Sequence, residues 1–258
     1  MRSAVLPLVT FGLFAMVVAD RVSKARASTV EGAGADSISA DLESTSPGSA
    51  ETGRWGGVRT LDRVARRALR QQISREAGRT YLDSLMISTD SVVRRWPDRG
   101  GVPLKVSLLE GGPSDYHPRM GRLFLEALNG WENLGMGVRF DVLPDSAGAE
   151  IVVRWIDDFA LDRAGQTDLT WDQAGRVRRA IITLAVRTTN GFPLPDEALL
   201  SVAAHEIGHA LGLPHSADSN DVMFPATRTG LPSDRDRRTA QVLYQLQPGP
   251  VRDPRGTP

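Results

Sequence analysis

The densest chemistry in the chain lies in one string, Ala203-Ala204-His205-Glu206-Ile207-Gly208-His209-Ala210-Leu211-Gly212-Leu213-Pro214-His215-Ser216. It holds three of the four histidines in the protein. On a helix, His205 and His209 stand four residues apart, so both imidazoles share one face about 5.4 Å apart along the axis. Two ring nitrogens can then reach a single Zn²⁺ at about 2.0–2.1 Å. Glu206 points to the side of that face, where it can touch a metal-held water without being a ligand. Gly212 lets the chain leave the helix through a left-handed turn that a Cβ would oppose. Pro214 blocks continuation of the helix, and the reversal brings His215 back as a third ligand. Three protein ligands leave a fourth position open, which is the arrangement of a catalytic rather than a structural zinc.

A plain amphipathic core helix would explain Val202, Ala203, Ile207, Ala210 and Leu211. It would not explain two histidines, a glutamate, a glycine and a third histidine at these offsets. The pattern H-E-x-x-H-x-x-G-x-x-H resembles that of the metzincin metallopeptidases. With Ser216 after the last histidine, it most resembles their matrixin branch. Asp221-Val222-Met223-Phe224-Pro225 resembles the matrixin Met-turn, in which a methionine lies beneath the zinc-bound imidazoles. The resemblance is tight over residues 202–225 and loose over 100–247. It implies a zinc-dependent endopeptidase acting on protein or peptide, with metal ligands His205, His209 and His215. Glu206 would be the general base that takes a proton from the zinc-activated water. Some metzincin branches carry a tyrosine two residues after the methionine, where this chain has Pro225; Tyr244 is expected to pack instead. The alternative is a zinc-containing, non-catalytic peptide-binding module of the cell envelope.

These residues need a frame. Leu104–Leu108 alternates as a strand, and Pro118–Gly130 reads as a helix with proline at its first position. Strands follow at Val138–Val142, Glu150–Trp155, Gln166–Trp171 and Ala180–Val186, with a turn at Asp172–Gly175. Asp196 is the expected N-cap of the zinc helix. Ser233 and Asp236 have the spacing of a capping box for a last helix through Leu246. Strand, helix, four strands and two further helices make an α+β fold. By resemblance this is a metzincin-like twisted mixed sheet with an active-site helix, a cleft and a small C-terminal subdomain. Gln166–Trp171 would be the sheet edge at which an extended substrate pairs.

Ahead of this domain, Ala4–Ala19 is an apolar run of signal-peptide length, or an uncleaved membrane anchor. Residues 28–57 read as a flexible linker, rich in Ser, Gly and acidic side chains. From Val58, apolar residues recur at helical spacing, with Arg59, Arg63, Arg66, Arg67 and Arg70 expected to face water. Residues 58–99 lie where matrixins carry a propeptide; they are either a removable pro-segment or a brace packed on the catalytic domain. Residues 248–258 read as a loose tail.

The 258 residues contain 31 basic and 31 acidic side chains and no cysteine. Balanced charge gives no sign of a nucleic-acid partner. The absence of cysteine excludes disulfides, thiolate ligands and the cysteine switch of many matrixin propeptides. Asp90 or Asp98 could supply a substitute carboxylate for latency. Many matrixins hold a second zinc; here only His117 remains, and beside Pro118 it reads as a helix-start residue, so one zinc is expected. Asp157, Asp158, Asp162 and Asp168 could offer oxygen ligands to Ca²⁺. The expected location is secreted or extracytoplasmic, with contact to a membrane only through the N-terminal segment.

Overall fold

In the computed structural model, residues 51–87, 92–160, 163–172 and 174–251 are described, with side chains from residue 63 onward. The apolar run at 4–19, Asp90, Asp162 and residues 252–258 lie outside them.

The frame is a five-stranded sheet in the order β3-β2-β4-β6-β5. Its strands are β2 (Leu104–Leu108), β3 (Phe140–Leu143), β4 (Ile151–Ile156), β5 (Gly165–Trp171) and β6 (Val177–Ala185). Strands β3, β2, β4 and β6 run parallel, and β5 lies antiparallel to β6 at the edge. The mixed sheet and its helices form an α+β fold consistent with a matrixin catalytic domain. One face of the parallel centre is apolar: Leu104, Val106, Ile151, Val153, Ala180, Ile182 and Leu184 share it and are all buried, while the other face carries Lys105, Ser107, Arg154 and Thr183. That face packs against the helices, as the alternation of side chains along a strand requires.

Two helices pack on the sheet. Helix α3 (Pro118–Glu132) starts at His117, whose Nδ1 accepts the Arg119 amide at 3.2 Å. His117 is therefore a cap, as its place beside Pro118 implied. Helix α4 (Asp196–Ala210) carries the histidine string and is buried from Ser201 to Ala210. Its N-cap is Pro195 rather than Asp196, and no side chain caps it. Asp196 instead sits in the first turn, where its charge suits the helix dipole, and pairs with Arg119 at 2.9 Å. Trp131 of α3 donates to the Ala204 carbonyl at 2.8 Å, fastening the two helices.

The C-terminal helix α5 (Asp234–Gln245) has both halves of the capping box: Ser233 Oγ accepts the Asp236 amide, and Asp236 accepts the Ser233 amide. Two expectations at the chain ends need correction. Helix α1 (Glu51–Arg75) begins inside the segment read as linker. Once a helix is nucleated, each added residue gains one hydrogen bond, so extension over a few unfavourable residues costs little. Of its expected apolar face, Val64, Ala65 and Ala68 are exposed, and among its described side chains only Ile73 near its end is buried. Likewise the tail is not loose throughout. A short helix, α2 (Ser84–Ile87), precedes β1 (Val92–Val93), and β1 pairs antiparallel with β7 (Gly249–Pro250). Val251 is buried. Among the described residues no helix is long and apolar enough to cross a membrane.

Candidate active site

Three imidazoles converge where α4 ends. Nε2 of His209 lies 3.0 Å from Nε2 of His205 and 3.1 Å from Nε2 of His215. The far nitrogens fix which atom carries the proton. His205 Nδ1 is 2.7 Å from the Val222 carbonyl, and His209 Nδ1 is 3.0 Å from the Leu213 carbonyl. A carbonyl only accepts, so both Nδ1 atoms carry hydrogen and both Nε2 atoms present lone pairs. Burial, followed by the neighbouring imidazoles, holds His205 well below the usual histidine pKa. The same causes lower His209 to about 3. At neutral pH the rings are therefore uncharged, the state a metal ligand needs.

Lone pairs aimed at one another within 3.1 Å repel unless a cation sits between them. Nitrogens about 2.1 Å from one tetrahedral Zn²⁺ would stand about 3.4 Å apart, close to the observed spacing. The donor set therefore fits zinc. Among the described residues, these three histidines form the one cluster of metal-binding side chains. Asp157, Asp158 and Asp168 do not join in one, and Asp168 accepts from Gln166 within its own strand at 2.9 Å.

The local sequence explains the convergence. At Gly212 the backbone has φ +98°, and a Cβ there would fall against the Arg94 carbonyl oxygen. Glycine alone satisfies both demands. The turn is closed by Leu213 N–H donating to the Gly208 carbonyl at 3.0 Å. Met223 is fully buried, and its sulfur lies so close to Gly208 that any Cβ there would collide with it. Ser216 donates to Asp221 at 2.5 Å, and its amide donates to the Met223 carbonyl at 2.9 Å, tying the residue after the third histidine to the Met-turn.

Glu206 is completely buried next to His205. Thr167 of the edge strand donates its hydroxyl to Glu206 Oε2 at 2.6 Å. Gly165, on the same strand, leaves the room that the glutamate fills: a Cβ there would stand 2.5 Å from Oε1. Neither residue stands out in the sequence, although a glycine opening a strand signals a close approach by a neighbour. Tyr244 donates to the Leu211 carbonyl at 3.1 Å, a packing role away from the imidazoles. Asp98 pairs with Arg95 at 3.0 Å and is largely exposed, so it supplies no latency carboxylate to the site.

A three-histidine cluster with a glutamate between the first two, at the end of a helix lying under a sheet edge, resembles the site of the metzincin metallopeptidases. Comparison with known proteins narrows the likeness. Residues 166–245 match the family model described as Matrixin. Human matrix metalloproteinase-20 is 45% identical over 62 residues, covering 22% of this chain and 12% of that protein. The chain is thus matrixin-like in the region that carries the site, and it matches only a small part of that relative's length.

Proposed function

We propose that this chain is a zinc-dependent endopeptidase in which His205, His209 and His215 hold the metal and Glu206 is the general base. The observation that carries the proposal is the convergence of three Nε2 atoms, of His205, His209 and His215, beside a buried carboxylate. Zinc, when bound, supplies a Lewis acid that polarises a carbonyl and lowers the pKa of water from about 16 toward about 7. Glu206 accepts the proton of the attacking water on a carboxylate oxygen and returns it to the departing amine. Thr167 holds that carboxylate in place through its hydroxyl, and Gly165 gives it space. The free edge of β5 offers backbone N–H and C=O groups with which an extended peptide can pair as an added strand. Similarity to a matrix metalloproteinase favours action outside the cell, on protein substrates.

The test is cleavage of a broad peptide library by the zinc-loaded protein, repeated after a chelator has removed the metal. Cleavage abolished by the chelator and restored by zinc supports the reading. A zinc-loaded protein that binds extended peptides without cutting them would replace it with the non-catalytic binding module.

A further inference from the structure

One side chain of the segment before the catalytic domain begins a run of hydrogen bonds that ends at the first histidine. The Tyr81 hydroxyl donates to Asp236 Oδ1 at 2.7 Å. Asp236 Oδ2 accepts the Val222 amide at 2.7 Å, and the Val222 carbonyl faces His205 Nδ1 at 2.7 Å. Three hydrogen bonds therefore run from the N-terminal segment, through α5 and the Met-turn, to the first histidine. Tyr81 and Asp236 are buried, and Val222 is fully enclosed. Val222 is clamped from both sides, since Asp236 takes its N–H while His205 donates to its C=O.

We propose that Tyr81 is a positioning residue for His205, which makes the segment around it a permanent part of the working site and not a removable pro-segment. The rest of the segment is built in the same way. Trp96 donates to the Ala210 carbonyl at the end of α4 at 2.9 Å, and Arg95 donates to the Leu246 carbonyl at 2.8 Å. The Arg94 carbonyl lies against Gly212, at the turn that delivers His215. Ile73, Leu82, Val93 and Trp96 belong to the same core as the zinc helix. Burial, then the Asp236 charge, pushes the Tyr81 phenol well above its usual pKa, so it remains a donor at all working pH values.

This inference rests on reading the site as a zinc centre, and its test separates the two. Groups that orient metal ligands from behind typically change metal affinity by about 10–100-fold when removed. In the full-length protein, Tyr81→Phe deletes one hydroxyl and keeps the ring. It should weaken zinc binding, measured by competition with a chromogenic chelator, by about tenfold, the low end of that range. It should also shift the visible bands of the cobalt-substituted protein. Arg238→Gln is the control. It breaks the ion pair with Glu76 at 2.6 Å, which fastens the same segment to α5 but lies outside the chain of bonds. Zinc affinity and cobalt bands should be unchanged in Arg238→Gln. Should Tyr81→Phe not accumulate, 3-fluorotyrosine at position 81 keeps the hydroxyl with altered donor strength and should still move the cobalt bands. Unmoved bands and affinity would overturn the role of Tyr81 while leaving the zinc site standing. Equal losses in Tyr81→Phe and Arg238→Gln would overturn it too, by showing general loosening. Absence of zinc binding in the unmodified protein would remove the zinc reading and this role together.

Discussion

Gly165→Ala is a sharp perturbation of the site because it adds one methyl group and touches no metal ligand. The new Cβ would stand 2.5 Å from Glu206 Oε1, 2.6 Å from Glu206 Cγ and 2.7 Å from Val202 Cγ1. Ordinary contact begins near 3.4 Å, so the glutamate must retreat by about 0.9 Å. A misplacement of about 1 Å at a reacting group costs on the order of 10²-fold in rate. The strand would lose the entropic penalty of glycine, a gain of about 0.5–1 kcal/mol. Overpacking costs about 1–3 kcal/mol, leaving the variant destabilised by about 0–2.5 kcal/mol. The assay is kcat/KM on a fluorogenic peptide, with zinc content and thermal unfolding measured on the same sample. The expected result is a loss of about two orders of magnitude in kcat/KM with full zinc content. Undiminished activity in a folded, zinc-loaded Gly165→Ala protein would refute the placement of Glu206 against the edge strand.

Further outcomes follow from the same geometry. A chain beginning at Gly100 should be insoluble or unfolded, because it lacks Ile73, Tyr81, Leu82, Val93 and Trp96, all buried in the common core; a soluble, fully active product would show that the segment is removable. The metal-free protein should lose stability in acid. His209 titrates near 3 when folded and near 6.5 when unfolded, so between those values the unfolded state binds more protons and stability falls as pH falls. Denaturant midpoints that stay level from pH 7 to pH 4 would contradict the burial of these rings. Elemental analysis after dialysis should find one zinc per chain, and two would require ligands beyond His205, His209 and His215.

The helix-and-turn path to the three histidines was legible because each step has a local cause: i,i+4 spacing, a glycine needing positive φ and a proline ending the helix. The strands at 104–108, 151–156 and 165–171 were legible through their alternation or apolar runs, and the Ser233–Asp236 capping box through its spacing. What escaped depends on contacts between distant residues. Thr167 reaches Glu206 across 39 positions, and Tyr81 reaches Asp236 across 155. No local pattern marks such pairs. The pairing of Val92–Val93 with Gly249–Pro250 was hidden for the same reason, since a two-residue strand has no periodicity to read. The N-cap of α4 was misplaced by one residue because Asp196 serves the helix through its charge rather than its side-chain oxygen.

The most direct test of the central claim is Glu206→Gln, measured for zinc content and peptide cleavage together. Glutamine keeps the size and shape of the buried glutamate and leaves all three imidazoles untouched, so the fold and the zinc should survive. A carboxamide cannot accept the proton of the attacking water, and general base catalysis is worth about 10²–10⁴-fold. The account predicts a zinc-loaded protein whose cleavage rate falls by at least the lower of those factors. Full peptidase activity in zinc-loaded Glu206→Gln would contradict it.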